Sequence, residues 1–201
     1  RYWDLEFKPA YQKPDEAVED LRALIKESVR RRLMSDVPLG VFLSGGLDST
    51  TVVACMRELG VSNIKSFSIA YPDPTFSELE YAEDMARHYG TESEVLMIPG
   101  LSLEDLETAV YHLDEPMTDL SAIPLMLICR KARQKVTVVL SGEGGDEVFC
   151  GYDRFKVSKA ARLMGLDRLP GAAGLLNAIA GRLPDQPQKK GAINVFKRIA
   201  E

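Results

Sequence analysis

Histidine, cysteine and tryptophan are scarce in this 201-residue chain, at two, three and one copies. His88 and His112 stand at metal-ligand spacing neither from each other nor from a cysteine, which excludes a finger-type zinc site. Cys55, Cys129 and Cys150 are far apart and form no C-x-x-C pair; an odd count of this kind argues against a disulfide framework and for a reducing compartment. No apolar run approaches the roughly 18 residues of a membrane span, and no charged-then-apolar signal segment is seen. Positive charge is not in excess either: 25 Lys and Arg against 30 Asp and Glu leave a net charge of −5, so broad attraction to nucleic acid or anionic membrane is not expected. The one basic run, "VRRRL" (29–33), reads as the solvated end of a helix. A cytoplasmic protein with neither a nucleic-acid nor a membrane partner is the expectation.

What is present is a chain long enough for one sizeable domain, in which short apolar runs alternate with helical patterns. Ala17, Val18, Leu21, Leu24, Ile25, Val29 and Leu33 recur at three and four residues, and "KPDEAVED" places proline and acids in the first turn of that helix. Strands are expected at "VPLGVFL" (37–43), "IKSFSIAY" (64–71), "SEVLMIP" (93–99) and, as the cleanest, "KVTVVLSG" (135–142). Helices are expected across about 48–59, 77–90, 103–112 and 123–134, with Gly60 and Gly90 closing the first two. After Phe155 the pattern weakens into short helices and a proline-broken loop. Alternation of this kind predicts an α/β fold with a doubly wound parallel sheet and flanking helices. Ligands bind such sheets at the C-terminal strand ends, and two glycine-rich joints, "SGGLDST" (44–50) and "SGEGGDE" (141–147), fall there.

In the first joint, small residues let successive backbone N–H groups face one concavity, and the helix behind it adds unpaired N–H groups at a positive dipole end. Ser44, Ser49 and Thr50 can donate hydroxyl hydrogen bonds to the same anion. Asp48 repels phosphate but suits a divalent cation that phosphate shares. The joint has no lysine and lacks the Walker A spacing, and it is not G-x-G-x-x-G; taken alone it also fits a plain strand-to-helix turn. The second joint repeats the hydroxyl and glycines and adds Glu143, Asp146 and Glu147, three carboxylates within five residues that are costly unless a cation arrives; taken alone it also fits a solvated acidic turn. Asp48 with Asp146 would make a minimal pair for Mg²⁺ bound with ATP, leaving Glu143 as a base or as an acceptor that orients a nucleophile.

"SGGLDS" after an apolar strand resembles the pyrophosphate loop of the ATP pyrophosphatases, which share the adenine nucleotide α-hydrolase-like fold. Together with "SFSIAY", "YAEDMARHYGTE", "LDEPMTDLSAIP" and "VVLSGEGGDEVFCGYDRF", it closely resembles the synthetase domain of glutamine-hydrolysing asparagine synthetases, over about residues 2–155. The resemblance implies that Ser44, Gly45, Gly46, Asp48 and Ser49 hold the departing phosphates. It implies an adenosine site at Leu43, Ile69, Ser141 and Gly142, Mg²⁺ on Asp48 and Asp146, and Glu143 assisting ammonia. Activity would be adenylation of the aspartate side chain by ATP, then amide formation with ammonia. A related adenylating ligase of the β-lactam synthetase type, acting on another carboxylate, is the alternative, and a noncatalytic nucleotide-binding module a further one.

By that resemblance residues 1–13 are the end of an interdomain connection, 14–160 the ATP pyrophosphatase core, and 161–201 an incomplete C-terminal helical part. The glutaminase domain and a later lysine of the family's site are then missing, and the assembly is left open, with a homodimer among the options. Leu120 stands about where one branch of the family carries an arginine near its substrate. His112 is expected to cap a loop, Asp114 and Glu115 either to line the acceptor site or to cap a helix, Cys55 and Cys150 to pack, and "PLMLIC" (124–129) to be core.

Overall fold

A computed structural model describes residues 1, 2, 4, 6, 13–75, 77–115, 119, 121–163, 178, 181 and 182. Four parallel strands form one sheet: β1 (Leu39–Phe42), β2 (Lys65–Ala70), β3 (Glu92–Met97) and β4 (Val138–Leu140), in the order β3-β2-β1-β4. Chain order reverses between β1 and β4. Right-handed crossovers therefore send the helices after β1 and β2 to one face, and the chain from β3 to β4 across the other.

The packing follows that rule. On one face α1 (Pro14–Arg32), α2 (Leu47–Glu58) and α3 (Leu79–Tyr89) lie together, and Val29, Val41, Val53, Met56, Ile64, Ala86 and Leu140 form the core beneath them. On the other, α5 (Ala122–Ala132) covers β2, with α4 (Leu103–Leu113) against α5, and Phe67, Ile128, Ala132 and Val136 are buried between. Adjacent strand residues serve opposite cores: Val41 faces the first and Phe42 packs on the second. Phe67, Leu43 and Met56 are fully buried, each contributing about 1.5–3 kcal/mol of apolar transfer. The expected doubly wound α/β sheet with flanking helices is what the chain forms.

Element ends carry their local causes. Gly90 closes α3 in the left-handed conformation at φ 61°, and Ser102 with Asp105 makes a reciprocal capping box on α4. The strand expected over 135–142 shrinks to three residues. Lys135 and Val136 donate their N–H groups back to Ala132 to end α5, and the Thr137 and Val138 amides both reach Pro38, so pairing with β1 begins only at 138. "PLMLIC" is core only in part, since Leu125 and Cys129 are exposed on the outer side of α5. Among the described residues no helix is long and apolar enough to cross a membrane.

Candidate active site

Both glycine joints leave the same end of the sheet, from the neighbouring strands β1 and β4. Leu43 follows β1 directly, with its amide donating to the Phe67 carbonyl and its carbonyl accepting the buried Ser68 hydroxyl at 2.5 Å, which fixes where the first joint starts. The chain then turns through Gly45 at φ 80°, and Gly46 caps α2 without a side-chain cap bond. The first N–H groups of α2 have no intrahelical partner and point out of that end. Gly45 has a second duty: a β-carbon there would sit 2.4 Å from the Tyr81 carbonyl carbon, so the joint is pressed onto the backbone of α3.

Ser44 and Ser49 knit the joint internally. The Ser49 hydroxyl donates to the Gly46 carbonyl and accepts from the Ser44 amide, each at 3.2 Å, and lies 3.1 Å from the Ser44 hydroxyl. That hydroxyl in turn accepts from the Gly46 amide at 3.2 Å. Ser49 is buried and Ser44 exposed, so Ser44 is the open end of the network. The Thr50 hydroxyl is buried with no partner among the described residues, and Thr50 does not line the cavity.

The second joint closes onto the first. A β-carbon on Gly142 would lie 2.8 Å from the Ser49 amide nitrogen and 2.8 Å from the Asp48 β-carbon. One on Gly145 would lie 2.5 Å from Asp48 Cγ and 2.7 and 2.8 Å from its two carboxylate oxygens. Asp48 is thus laid directly over the second joint, one residue before Asp146. Gly144, at φ 89°, turns the chain into the short helix α6 (Gly145–Phe149), and Glu143 donates its amide to the Ser141 hydroxyl at 3.4 Å.

An open cavity of about 260 Å³ lies where the joints meet. Of the sequence-predicted residues, Ser44, Asp48, Ser49, Ser141, Gly142, Glu143 and Asp146 line it. Leu43, Gly45, Gly46 and Ile69 do not: the two glycines shape the joint, and Ile69 packs toward the core under α5. Phe42, Gly144, Glu147 and Tyr152 line it as well. Of these, Glu147 was legible as part of the acid run, whereas Tyr152 reaches the cavity only because the chain folds back after α6. A wider groove of about 690 Å³ continues from the same acids between α1, α2 and β4. Asp114 ends α4 in the left-handed conformation, and neither it, Glu115 nor His112 lines the cavity. Cys55 is buried, where desolvation pushes its thiol up, but Cys150 is exposed at φ 56°, so the expected packing role fails for it. The expectation for Leu120 lies outside the described residues, as does most of 161–201.

The donor set fits Mg²⁺ shared with a phosphate. Asp48 and Asp146 offer hard carboxylate oxygens, yet among the described residues no group of three or more acidic, histidine or cysteine side chains could hold an ion by itself. Mg²⁺ is commonly bound this way, by one or two carboxylates completed by substrate phosphates and water.

The model of the asparagine synthase family matches residues 20–196, most of the chain. The chain belongs to this family. It is 36% identical over 194 residues to the glutamine-hydrolysing asparagine synthetase 1 of Bacillus subtilis, covering 96% of this chain and 30% of that protein. Against asparagine synthetase B of Escherichia coli, also glutamine-hydrolysing, it is 32% identical over 160 residues, covering 71% of this chain and 28% of the relative. The chain therefore spans about a third or less of the length of these curated relatives. Among solved structures, a glutamine-dependent NAD⁺ synthetase from Acinetobacter baumannii in complex with ADP aligns at a TM-score of 0.46 and 22% identity, over 74% of this chain and 29% of its own.

Proposed function

We propose that this chain is the ATP-using part of an asparagine synthetase: an amide ligase that adenylates the side-chain carboxylate of aspartate and passes the acyl group to ammonia. The observation that carries the reading is the closure of Gly142 and Gly145 onto Asp48, which unites an anion-binding helix end with an acid pair at one switch point. The core of the activity is residues 14–160. ATP places its β- and γ-phosphates at Ser44, Gly45, Gly46 and Ser49, and its adenosine at Ser141 and Gly142 and against the backbone of Leu43 and Ile69, whose side chains turn to the core. Asp48 and Asp146 hold Mg²⁺, which when bound neutralises phosphate charge and strengthens pyrophosphate as a leaving group.

Aspartate is an anion attacking an anion, so the site's first task is to offset that repulsion. The α2 N–H groups and the Ser44 hydroxyl stabilise charge moving onto pyrophosphate as the carboxylate forms its bond to the α-phosphorus and the bridging P–O bond breaks. Ammonia then attacks the acyl carbon, AMP departs, and Glu143 accepts the proton that the nitrogen sheds. Aspartate, ATP and ammonia are the small-molecule partners. A glutaminase domain of the same enzyme supplies the ammonia from glutamine, as the names of the relatives support, and the cytoplasm is where these substrates meet.

ATP–pyrophosphate exchange, run on the longest natural protein that contains this sequence, tests the reading. Exchange that depends on aspartate supports it. Exchange with another carboxylic acid alone moves the assignment to a ligase of the β-lactam synthetase type. No exchange with any acid, together with no MgATP binding by this chain, overturns both.

A further inference from the structure

At the end of the sheet where both joints leave, β2 runs on past β1. The pairing of β1 with β2 stops at Phe42 and Phe67, while β2 stays paired with β3 as far as Ala70 and Met97. Alternate residues of a parallel strand turn their main-chain groups to alternate neighbours. Phe67 faces β1, since its carbonyl accepts the Leu43 amide at 2.9 Å, and Ala70 faces β3, since its carbonyl accepts the Ile98 amide at 2.9 Å. Ile69 therefore faces β1, and the next rung of the ladder would be its N–H on the Leu43 carbonyl. That rung is not made. The Leu43 carbonyl accepts the Ser68 hydroxyl at 2.5 Å instead, and the main-chain N–H and C=O of Ile69 have no hydrogen-bond partner among the described residues.

Ser68 is only 3% exposed. The side chains of Phe67 and Ile69 pack beneath α5, so that of Ser68 between them turns to the opposite face, the one covered by α2 and α3. Its hydroxyl thus meets the Leu43 carbonyl from outside the plane of the sheet, on the side where the chain goes on into the first joint. A hydroxyl this deeply buried is costly to leave unpaired, which holds the bond in place. An unpaired N–H beside an unpaired C=O at a strand end is a donor–acceptor edge. It complements a base that sets a ring-nitrogen acceptor beside an amino donor, as adenine does. We infer that Ser68 is a positioning residue for the base of ATP: by occupying the Leu43 carbonyl it keeps the last rung between β1 and β2 open, and the Ile69 main chain is left free to take the adenine. The inference rests on the proposed use of ATP, with adenosine against the backbone of Leu43 and Ile69. Ser68 itself touches no part of the nucleotide.

Ser68→Ala removes the hydroxyl and frees the Leu43 carbonyl for the missing rung. In the full chain, titration calorimetry should show adenosine affinity falling about tenfold, the scale of one net hydrogen bond, while inorganic pyrophosphate with Mg²⁺ binds within about twofold of the unsubstituted protein. Amide hydrogen exchange, read by nuclear magnetic resonance, reports the rung directly. The Ile69 amide should exchange quickly in the nucleotide-free unsubstituted protein and slow down when adenosine is added; in Ser68→Ala it should be slow before any ligand arrives. An Ile69 amide already protected in the free unsubstituted protein overturns the inference. So does an adenosine affinity unchanged by Ser68→Ala, and so does an equal loss for adenosine and pyrophosphate, which marks a merely structural hydroxyl. If Ser68→Ala does not fold, exchange of Ile69 in the unsubstituted protein, with and without adenosine, decides alone. Failure of the unsubstituted protein to bind adenosine or MgATP would instead remove the functional proposal, a separate outcome read in a separate titration.

Discussion

The carboxylate of Asp48 lies on the α-carbon of Gly145, so close that a β-carbon at 145 would fall 2.5 Å from Asp48 Cγ. The obstacle is the free end of a side chain, which can swing aside without moving the backbone. Alanine at 145 also gains helix propensity at the start of α6, worth about 0.5–1 kcal/mol. Gly145→Ala should therefore keep its melting temperature within a few degrees and lose roughly tenfold in MgATP affinity, the scale of one displaced charged ligand. Gly142→Ala is the contrast. Its β-carbon would meet backbone atoms of Asp48 and Ser49 at 2.8–2.9 Å, so β4 and α2 must part, and stability should fall by about 1–3 kcal/mol. Thermal denaturation and calorimetric titration of the two variants separate the cases.

Gly45 joins the first loop to α3 and carries a stronger constraint. At φ 80° an L side chain is already strained, and its β-carbon would stand 2.4–2.6 Å from Tyr81 and Ala82 atoms, two of them backbone. Neither can yield without moving a helix. Gly45→Ala should cost about 3 kcal/mol or more, combining backbone strain with overpacking. Chemical denaturation should show a lower midpoint with an unchanged slope.

On the far side of the sheet, Glu94 of β3 binds two lysines of the α5 end, Lys131 at 3.1 Å and Lys135 at 3.6 Å. The Lys131 hydrogen bond, ahead of the smaller effect of Lys135, holds the Glu94 carboxyl below its usual range. A depressed carboxylate stabilises the fold above its unfolded-state value and loses that contribution as pH falls through the folded-state value. Glu94→Gln should therefore cost up to about 1 kcal/mol near neutral pH, a solvent-screened figure. Below the ordinary carboxylate range the difference should vanish. Urea denaturation of both proteins across pH checks it, and a difference that persists in acid would refute the assignment.

Residues differ in how far their roles can be read without coordinates. Periodicity located α1 because its apolar residues return every three or four positions, and Gly90 marked the end of α3 because a left-handed cap favours glycine. Strand alternation with helices was enough for the sheet's winding, since right-handed crossovers leave few alternatives. Ser44, Asp48, Glu143 and Asp146 were legible as two motifs about a hundred residues apart, and the order β1-β4 is what joins them. Hidden were the contacts that depend on an exact approach. Nothing in "SGGLDS" says that Gly45 presses on Tyr81, or that the Ser49 hydroxyl turns inward to serve Ser44. Tyr152 was hidden for a similar reason, because its place follows from a left-handed cysteine, which no local preference announces. The overlong β4 was an error of another kind: "KVTVVL" is rich in strand formers, but its first residues are spent terminating α5.

Asp48 admits two roles in the first turn of α2, and a single substitution distinguishes them. A carboxylate there interacts favourably with the positive helix end, a contribution of about 0.3–1 kcal/mol whether or not any ligand is bound. As a metal ligand it acts only when Mg²⁺ and phosphate arrive together. Asp48→Asn keeps size and hydrogen-bonding capacity while removing the charge, so a helix-end role predicts a small loss of stability and equal effects on all nucleotides. Its place against Gly145 and beside Asp146 predicts otherwise. MgATP affinity should drop by about tenfold or more, whereas adenosine, measured without Mg²⁺, should bind within about twofold of the unsubstituted protein. Titration calorimetry with both ligands decides the matter, and equal losses would reduce Asp48 to a helix-end charge.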